Sequence, residues 1–152
     1  MSFTTRVQVR AGDARTKQVT LPLLDEPVVM GVHGDVAAHY RLAEGSYQPH
    51  PTTLDYLVGA TVACLCGTFG GLLSGLGQPV GDGQLEAEGS GELADDGGTL
   101  RLRGVHVDYR LKLSDGVDAD KVRRAHERHR AKCPIARSIG QSVVLSTNLT
   151  LL

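Results

Sequence analysis

The chain has 152 residues, 41% of them hydrophobic, which suits one globular domain over residues 1–152 with a full-sized core. Sixteen Lys and Arg against seventeen Asp and Glu leave a formal net charge of −1, so no whole-molecule field draws the protein to nucleic acid or to an anionic membrane. Trp is absent and other aromatics are sparse, which argues against a base-stacking surface, and three cysteines cannot form a disulfide framework.

The opening "MSFTTRVQVR" lacks the basic start and apolar run of a signal peptide. No apolar stretch reads as long enough to span a bilayer, so the expected location is the cytoplasm, with no membrane partner. Within that opening, Phe3, Thr5, Val7 and Val9 alternate with polar neighbours and predict a half-buried strand. "DART" then turns into a second strand, "KQVTL". Residues 22–51 carry Pro22, Pro27, Pro49 and Pro51 with Gly31, Gly34 and Gly45, which predicts a loop-rich segment holding one strand at "PVVMGV".

From Thr52 or Thr53 to about Leu76, apolar residues recur at helical spacing behind a threonine cap, with Asp55 in the first turn. No charge follows Asp55 on any face, so this long helix is expected to be buried nearly all round. Its row Ala60, Cys64, Gly67, Gly71 is made only of small side chains. Glycine costs about 1 kcal/mol against alanine inside a helix, and close approach of another helix along that row would account for it.

"QLEAEGSGEL" alternates as a strand, "ADDGG" marks a turn, and "TLRLRGVHVDYRLKL" alternates again. The apolar set shifts from even positions (Leu100, Leu102) to odd ones (Val105, Val107, Tyr109, Leu111) across Gly104, which predicts a β-bulge there. A second helix enters near Asp118, with Val122, Ala125, His126, His129 and Cys133 on its inward row. Pro134 ends it or starts a short helix, "PIARSIG", before a last strand, "SVVLSTNLTLL". Strands, helix, strands, helix and strand make an α+β chain with an antiparallel sheet.

Cys64 and Cys66 stand two residues apart, which turns a helix by about 200° and points their side chains to nearly opposite sides. Cys66 shares its row with Val62, Phe69 and Leu73 and reads as a small buried residue. Cys133 ends an inward helical face after several basic residues, which favour a thiolate, although a helix C-terminus disfavours one. It therefore suits a resolving thiol better than a first nucleophile. Cys64 and Cys133 are a candidate dithiol pair whose contact depends on the fold.

At "TLDYLVGATVAC", Thr53 to Cys64, and at "KCPIARSI" the sequence resembles the OsmC/Ohr family, the osmotically inducible and organic hydroperoxide resistance proteins. "DEPVVMG" precedes the first helix in the family's order. The resemblance implies an OsmC-like α+β fold: an intertwined homodimer in which antiparallel sheets wrap around two long central helices, with a thiol peroxidase site at the subunit interface. Carried over by position, it makes Cys64 the peroxidatic cysteine and Cys133 the resolving one, with a peroxide as substrate and an external dithiol as reductant. The family's supporting arginine comes from the N-terminal hairpin, where Arg15 is the first choice and Arg10 the second.

Two positions depart from the family. Thr53 stands for the usual proline, and Leu54 for the acidic residue that orients the arginine; Asp55 lies about 100° further round the helix. The Leu54 departure leaves a second function open, a small-ligand-binding protein on the same scaffold with little or no turnover. No cofactor is implied. His126, His129 and Cys133 share a helical face, but ligands spread over about 10 Å of straight helix cannot all reach one ion, so no metal is expected. "KVRRAHERHRAK" reads as a solvated basic face, not a nucleic-acid site, and "GTFGGLLSGLG" lacks the lysine of a phosphate loop.

Overall fold

The computed structural model describes residues 2–152. In chain order the elements are β1 (Gln8–Ala11), β2 (Lys17–Thr20), β3 (Val28–Met30), α1 (Gly34–His39), α2 (Thr53–Ser74), β4 (Leu85–Asp96), β5 (Thr99–Leu111), α3 (Ala119–Lys132), α4 (Pro134–Ile139) and β6 (Val144–Leu151). They form two compact units, one ending at Tyr56 and the other spanning Leu57–Leu152. The α+β class is as expected from the element order.

In the N-terminal unit β1, β2 and β3 pair antiparallel in that order, with Val9 opposite Val19 and Val19 opposite Val28. The strand expected from Phe3 begins only at Gln8, where its ladder with β2 starts. Between β1 and β2 the Thr16 amide and hydroxyl both donate to the Asp13 carbonyl, at 3.0 and 2.7 Å. That tight turn puts Ala14 and Arg15 in the left-handed region, with φ of 49° and 63°. Helix α1 was not expected, because it is short and lies in the proline- and glycine-rich stretch.

The start of α2 is fixed by a reciprocal cap. Thr52 Oγ1 accepts the Asp55 amide at 3.1 Å, while Asp55 Oδ2 accepts the Thr52 amide and hydroxyl at 2.6 and 2.7 Å. His33 Nε2 lies 2.8 Å from the same carboxylate oxygen. Burial opposes ionisation of Asp55, but the bonds from Thr52 and His33 outweigh it and hold the carboxyl below its ordinary range.

In the C-terminal unit β4, β5 and β6 form a second sheet in that order. β4 and β5 are antiparallel; β5 and β6 are parallel, which corrects the expectation of a wholly antiparallel sheet. Alternation has the same period in both pairings, so it cannot tell them apart. What reverses β6 is the connection through α3 and α4, long enough to carry the chain back to the start of the sheet. The bulge expected at Gly104 is present: Glu92 pairs with Gly104 and Leu93 with Leu102, leaving Arg103 as the extra residue.

The core lies between this sheet and the helices. Leu102, Val105, Val107, Tyr109 and Leu111 bury one face of β5, Leu65, Phe69 and Leu73 come from α2, and Val122 and Ala125 from α3. Close approach falls on strand glycines: a Cβ on Gly89 would lie 2.2 Å from Val62 Cγ2, and one on Gly91 2.5 Å from Val58 Cγ2. Gln78, 1% exposed, ties the exit of α2 to that of β5, its Nε2 donating to the Pro79 and Lys112 carbonyls at 2.7 and 3.1 Å and its Oε1 accepting the Ser114 amide at 3.0 Å.

Within a single chain α2 is covered on one face only. Only the row Thr61, Leu65, Phe69, Leu73, with Gly70, is buried, whereas Leu57, Ala60, Gly67 and Gly71 are exposed within the chain. Among the described residues, nothing beyond the helix's own backbone comes within 4 Å of a Cβ placed on Gly67 or Gly71, so the small-residue row does not receive α3 along its length. By length and composition the 22-residue helix is also apolar enough to cross a membrane, contrary to the sequence expectation. Runs of glycine, alanine and threonine conceal that property, since each is only weakly apolar by itself.

Candidate active site

The C-terminal unit brings Cys64 and Cys133 together, with Cys133 Sγ 3.3 Å from Cys64 Sγ. The thiols are free, Cys64 half-buried and Cys133 fully buried. Cys133 owes its position to the proline that follows. A residue before proline is driven out of the helical region, and Cys133 accordingly adopts φ −73° and ψ 122°, ending α3. Pro134, whose missing N–H is harmless in a first turn, starts α4 at once. Cys133 thus closes one helix and caps the next, its sulfur accepting the Ala136 amide at 3.5 Å.

Burial pushes the Cys64 thiol above its ordinary value, the Ile135 amide donating to its sulfur pulls it back, and the neighbouring Cys133 sulfur adds to the rise. The net direction is up, so Cys64 rests as a thiol. Burial also raises Cys66, which is not part of the contact between Cys64 and Cys133. The Ile135 amide was not singled out from sequence; the signal for it is Pro134, which opens a first turn whose N–H groups have no helical acceptor.

Beside the dithiol lies a buried aromatic cluster that sequence reasoning also missed. Tyr109 Oη and His129 Nε2 are 3.1 Å apart, His129 Nδ1 meets the His126 carbonyl, and Phe69 packs against Tyr109 at 5.1 Å between centroids. Burial raises the Tyr109 phenol, with the Cys66 and Cys133 sulfurs acting in the same direction, and lowers His129. Both groups therefore rest uncharged. Both ring nitrogens of His129 are engaged, which leaves it no free lone pair toward a metal shared with Cys133.

Arg15 lies in the N-terminal unit, exposed at the β1–β2 turn, its carbonyl 3.4 Å from Lys17 Nζ. Arg10 lies in β1 opposite Gln18 and is exposed. The Asp55 carboxylate holds Thr52 and His33.

Comparison with known proteins matches residues 44–148 to the family described as OsmC-like protein. No curated protein matches the sequence. Among solved structures, an OsmC-like protein of unknown function from Vibrio cholerae superposes with a TM-score of 0.79 at 11% identity, over 98% of this chain and 100% of that one. The organic hydroperoxide resistance protein OhrB of Bacillus subtilis superposes with a TM-score of 0.67 at 18% identity, over 97% and 98%. An organic hydroperoxide resistance protein OsmC from Legionella pneumophila gives 0.67 at 13% identity, over 97% of each chain. At these identities the likeness is one of fold.

Proposed function

The chain belongs to the OsmC-like protein family, and from that premise we propose that it is a thiol-dependent peroxidase, with Cys64 as the attacking thiol and Cys133 as the resolving one. The observation that carries this reading is the 3.3 Å separation of the two sulfurs. The hydroperoxide resistance proteins among its structural neighbours favour a peroxide-related role.

In the proposed cycle the Cys64 thiolate attacks one oxygen of an organic hydroperoxide or of hydrogen peroxide. An S–O bond forms as the O–O bond breaks, and the departing oxyanion takes up a proton and leaves as alcohol or water. The sulfur has lost two electrons and become a sulfenic acid. Cys133 then attacks that sulfur, its own proton leaving with the hydroxyl group as water, and an external dithiol reduces the resulting disulfide. Arg15 is proposed to supply the positive charge that a raised thiol needs before it can ionise. With Leu54 in place of a carboxylate and Asp55 held by Thr52 and His33, that arginine has no obvious orienting partner on α2.

The uncovered face of α2 supports assembly as a homodimer, a second copy covering Leu57, Ala60, Gly67 and Gly71 in a cytoplasmic protein. Sedimentation at micromolar concentration is expected to give a dimer; a stable monomer would leave the face unexplained. Stopped-flow oxidation of the reduced protein by cumene hydroperoxide tests the chemistry. Fast consumption of one peroxide per chain with formation of a Cys64–Cys133 disulfide is expected. Slow, non-stoichiometric consumption would overturn the peroxidase reading in favour of the alternative that the Leu54 departure keeps open, a small-ligand-binding protein with little or no turnover.

A further inference from the structure

On the open face of the second sheet, opposite the face that packs on the helices, β5 and β6 present a compact polar cluster. Strand alternation puts His106, Asp108, Ser146 and Asn148 on this face, in two adjacent rows: Ser90, His106 and Ser146 are paired across the three strands, and so are Glu88, Asp108 and Asn148. His106 Nδ1 lies 2.7 Å from Ser146 Oγ, and His106 Nε2 lies 3.2 Å from Asp108 Oδ1. Asn148 Nδ2 is 3.1 Å from His106 Nε2 and 3.0 Å from Asp108 Oδ1. Nothing in the peroxidase reading uses these groups.

Serine, histidine and aspartate in a hydrogen-bonded series invite comparison with a hydrolytic triad. That chemistry also needs backbone amides aimed at a developing oxyanion. His106 and Asp108 stand on the central strand of the sheet, between two ladders, where backbone amides are committed to pairing. A nucleophile without such donors is a poor catalyst.

The same atoms fit a cation better. His106 Nε2, Asp108 Oδ1 and the Asn148 amide head mark a triangle with edges of 3.2, 3.1 and 3.0 Å. Neighbouring donors around a divalent ion with bonds of about 2.1 Å are about 3.0 Å apart in an octahedron and about 3.4 Å apart in a tetrahedron. A half-turn of the Asn148 amide puts its oxygen where the nitrogen lies, so all three corners can offer lone pairs. Ser146 on Nδ1 supplies the outer partner that fixes a ligating imidazole's tautomer and leaves Nε2 for the ion.

A separate observation points the same way. Glu88 is directly opposite Asp108 in register, a like-charge pair across neighbouring strands that disfavours pairing and that positive charge nearby would relieve. Glu88 is exposed on the same face and adds negative charge beside the site, although its carboxylate does not group with His106 and Asp108 as a third ligand. Beside the cluster opens a shallow depression of about 230 Å³ lined by Ser90, Glu92, His106 and Ser146, with room for completing water.

We propose that His106, Asp108 and Asn148, completed by water, bind a divalent transition-metal ion of the class that takes imidazole and carboxylate together, Zn²⁺ or Ni²⁺. The site is distinct from the dithiol and independent of it. Calorimetric titration of the reduced protein with Zn²⁺ tests this, in the wild type and in Cys64→Ser/Cys133→Ser, since paired thiols bind Zn²⁺ themselves. One ion per chain is expected to remain in the cysteine variant. His106→Ala and Asp108→Asn, each confirmed folded by circular dichroism, should weaken that ion at least about tenfold, and Ser146→Ala should weaken it about tenfold through loss of the outer partner. Shifts of the His106 ring resonances in unmutated protein during the same titration give a readout that needs no variant. Binding confined to the cysteines, or an affinity that His106→Ala and Asp108→Asn leave unchanged, would overturn the proposal.

Discussion

Oxidation of the dithiol should change stability by an amount that follows from the chain path. Cys64 and Cys133 are 69 residues apart, and a cross-link between them closes that loop in the unfolded chain. Loop-closure entropy for such a length is worth about 4 kcal/mol at 25 °C. At roughly 2–4 °C per kcal/mol for a chain of this size, the oxidised protein should melt about 10 °C or more above the reduced one. Because the sulfurs already touch, little of this gain should be lost to distortion. The assay is a thermal melt followed by circular dichroism, comparing reduced protein with protein treated with one equivalent of peroxide and mapped for its disulfide. Cys64→Ser/Cys133→Ser should show no difference between the two treatments. An oxidised form that carries the mapped Cys64–Cys133 bond yet melts at or below the reduced temperature would refute the reasoning, since the fold would then be strained by the link.

Burial raises the folded-state values of Cys64 and Cys66 above those of the unfolded chain. Their contribution to stability is therefore complete below the unfolded thiol value of roughly 8.5 and lost as pH rises through the folded one; urea midpoints of the reduced protein should fall between pH 8 and 10, and less so in Cys64→Ser/Cys66→Ser. Cys66→Ser should leave peroxide consumption nearly intact while Cys64→Ser abolishes it, and equal losses in two folded variants would deny them different roles. Arg15→Ala should slow Cys64 oxidation at pH 7 about tenfold for each unit by which its thiol rises, a shift readable from the pH profile of the rate. Gly89→Ala forces a Cβ to within 2.2 Å of the stiff Val62 side chain and should cost about 1–3 kcal/mol by chemical denaturation; Val62→Ala in the same chain should recover part of it.

Local chemistry was the most legible part of the sequence. The threonine and aspartate at the start of α2 are three residues apart, the Asp118 cap precedes α3, and Gly104 marks the change of apolar parity. Each is a short-range rule, and each is met in the structure. The juxtaposition of Cys64 and Cys133 was legible only as a possibility, because residue types suggest a pair while the fold decides contact. What stayed hidden depended on distant partners. Alternation at β6 is blind to strand direction, α1 is too short to stand out among prolines and glycines, and the small row on α2 suggested a neighbour that the chain itself does not supply. The pairing of His106 with Ser146 and Asp108 with Asn148 joins residues 40 apart along the chain, a relation fixed only by the parallel register.

That parallel register also sets an order in time. The β4–β5 hairpin can zip outward from Gly97 and Gly98, each pair closing a slightly longer loop than the last. β6 has no such route: Gly104 meets Val144 and Leu111 meets Leu151 only after α3 and α4 have been laid down between them. Contacts between residues this far apart form late and slowly. The turn at Cys133 lies inside that connection, so the two thiols should meet among the last events of folding and part among the first of unfolding. A chain caught halfway would present Cys64 to peroxide with no Cys133 at hand to rescue it, so over-oxidation of Cys64 would mark molecules that had not finished folding.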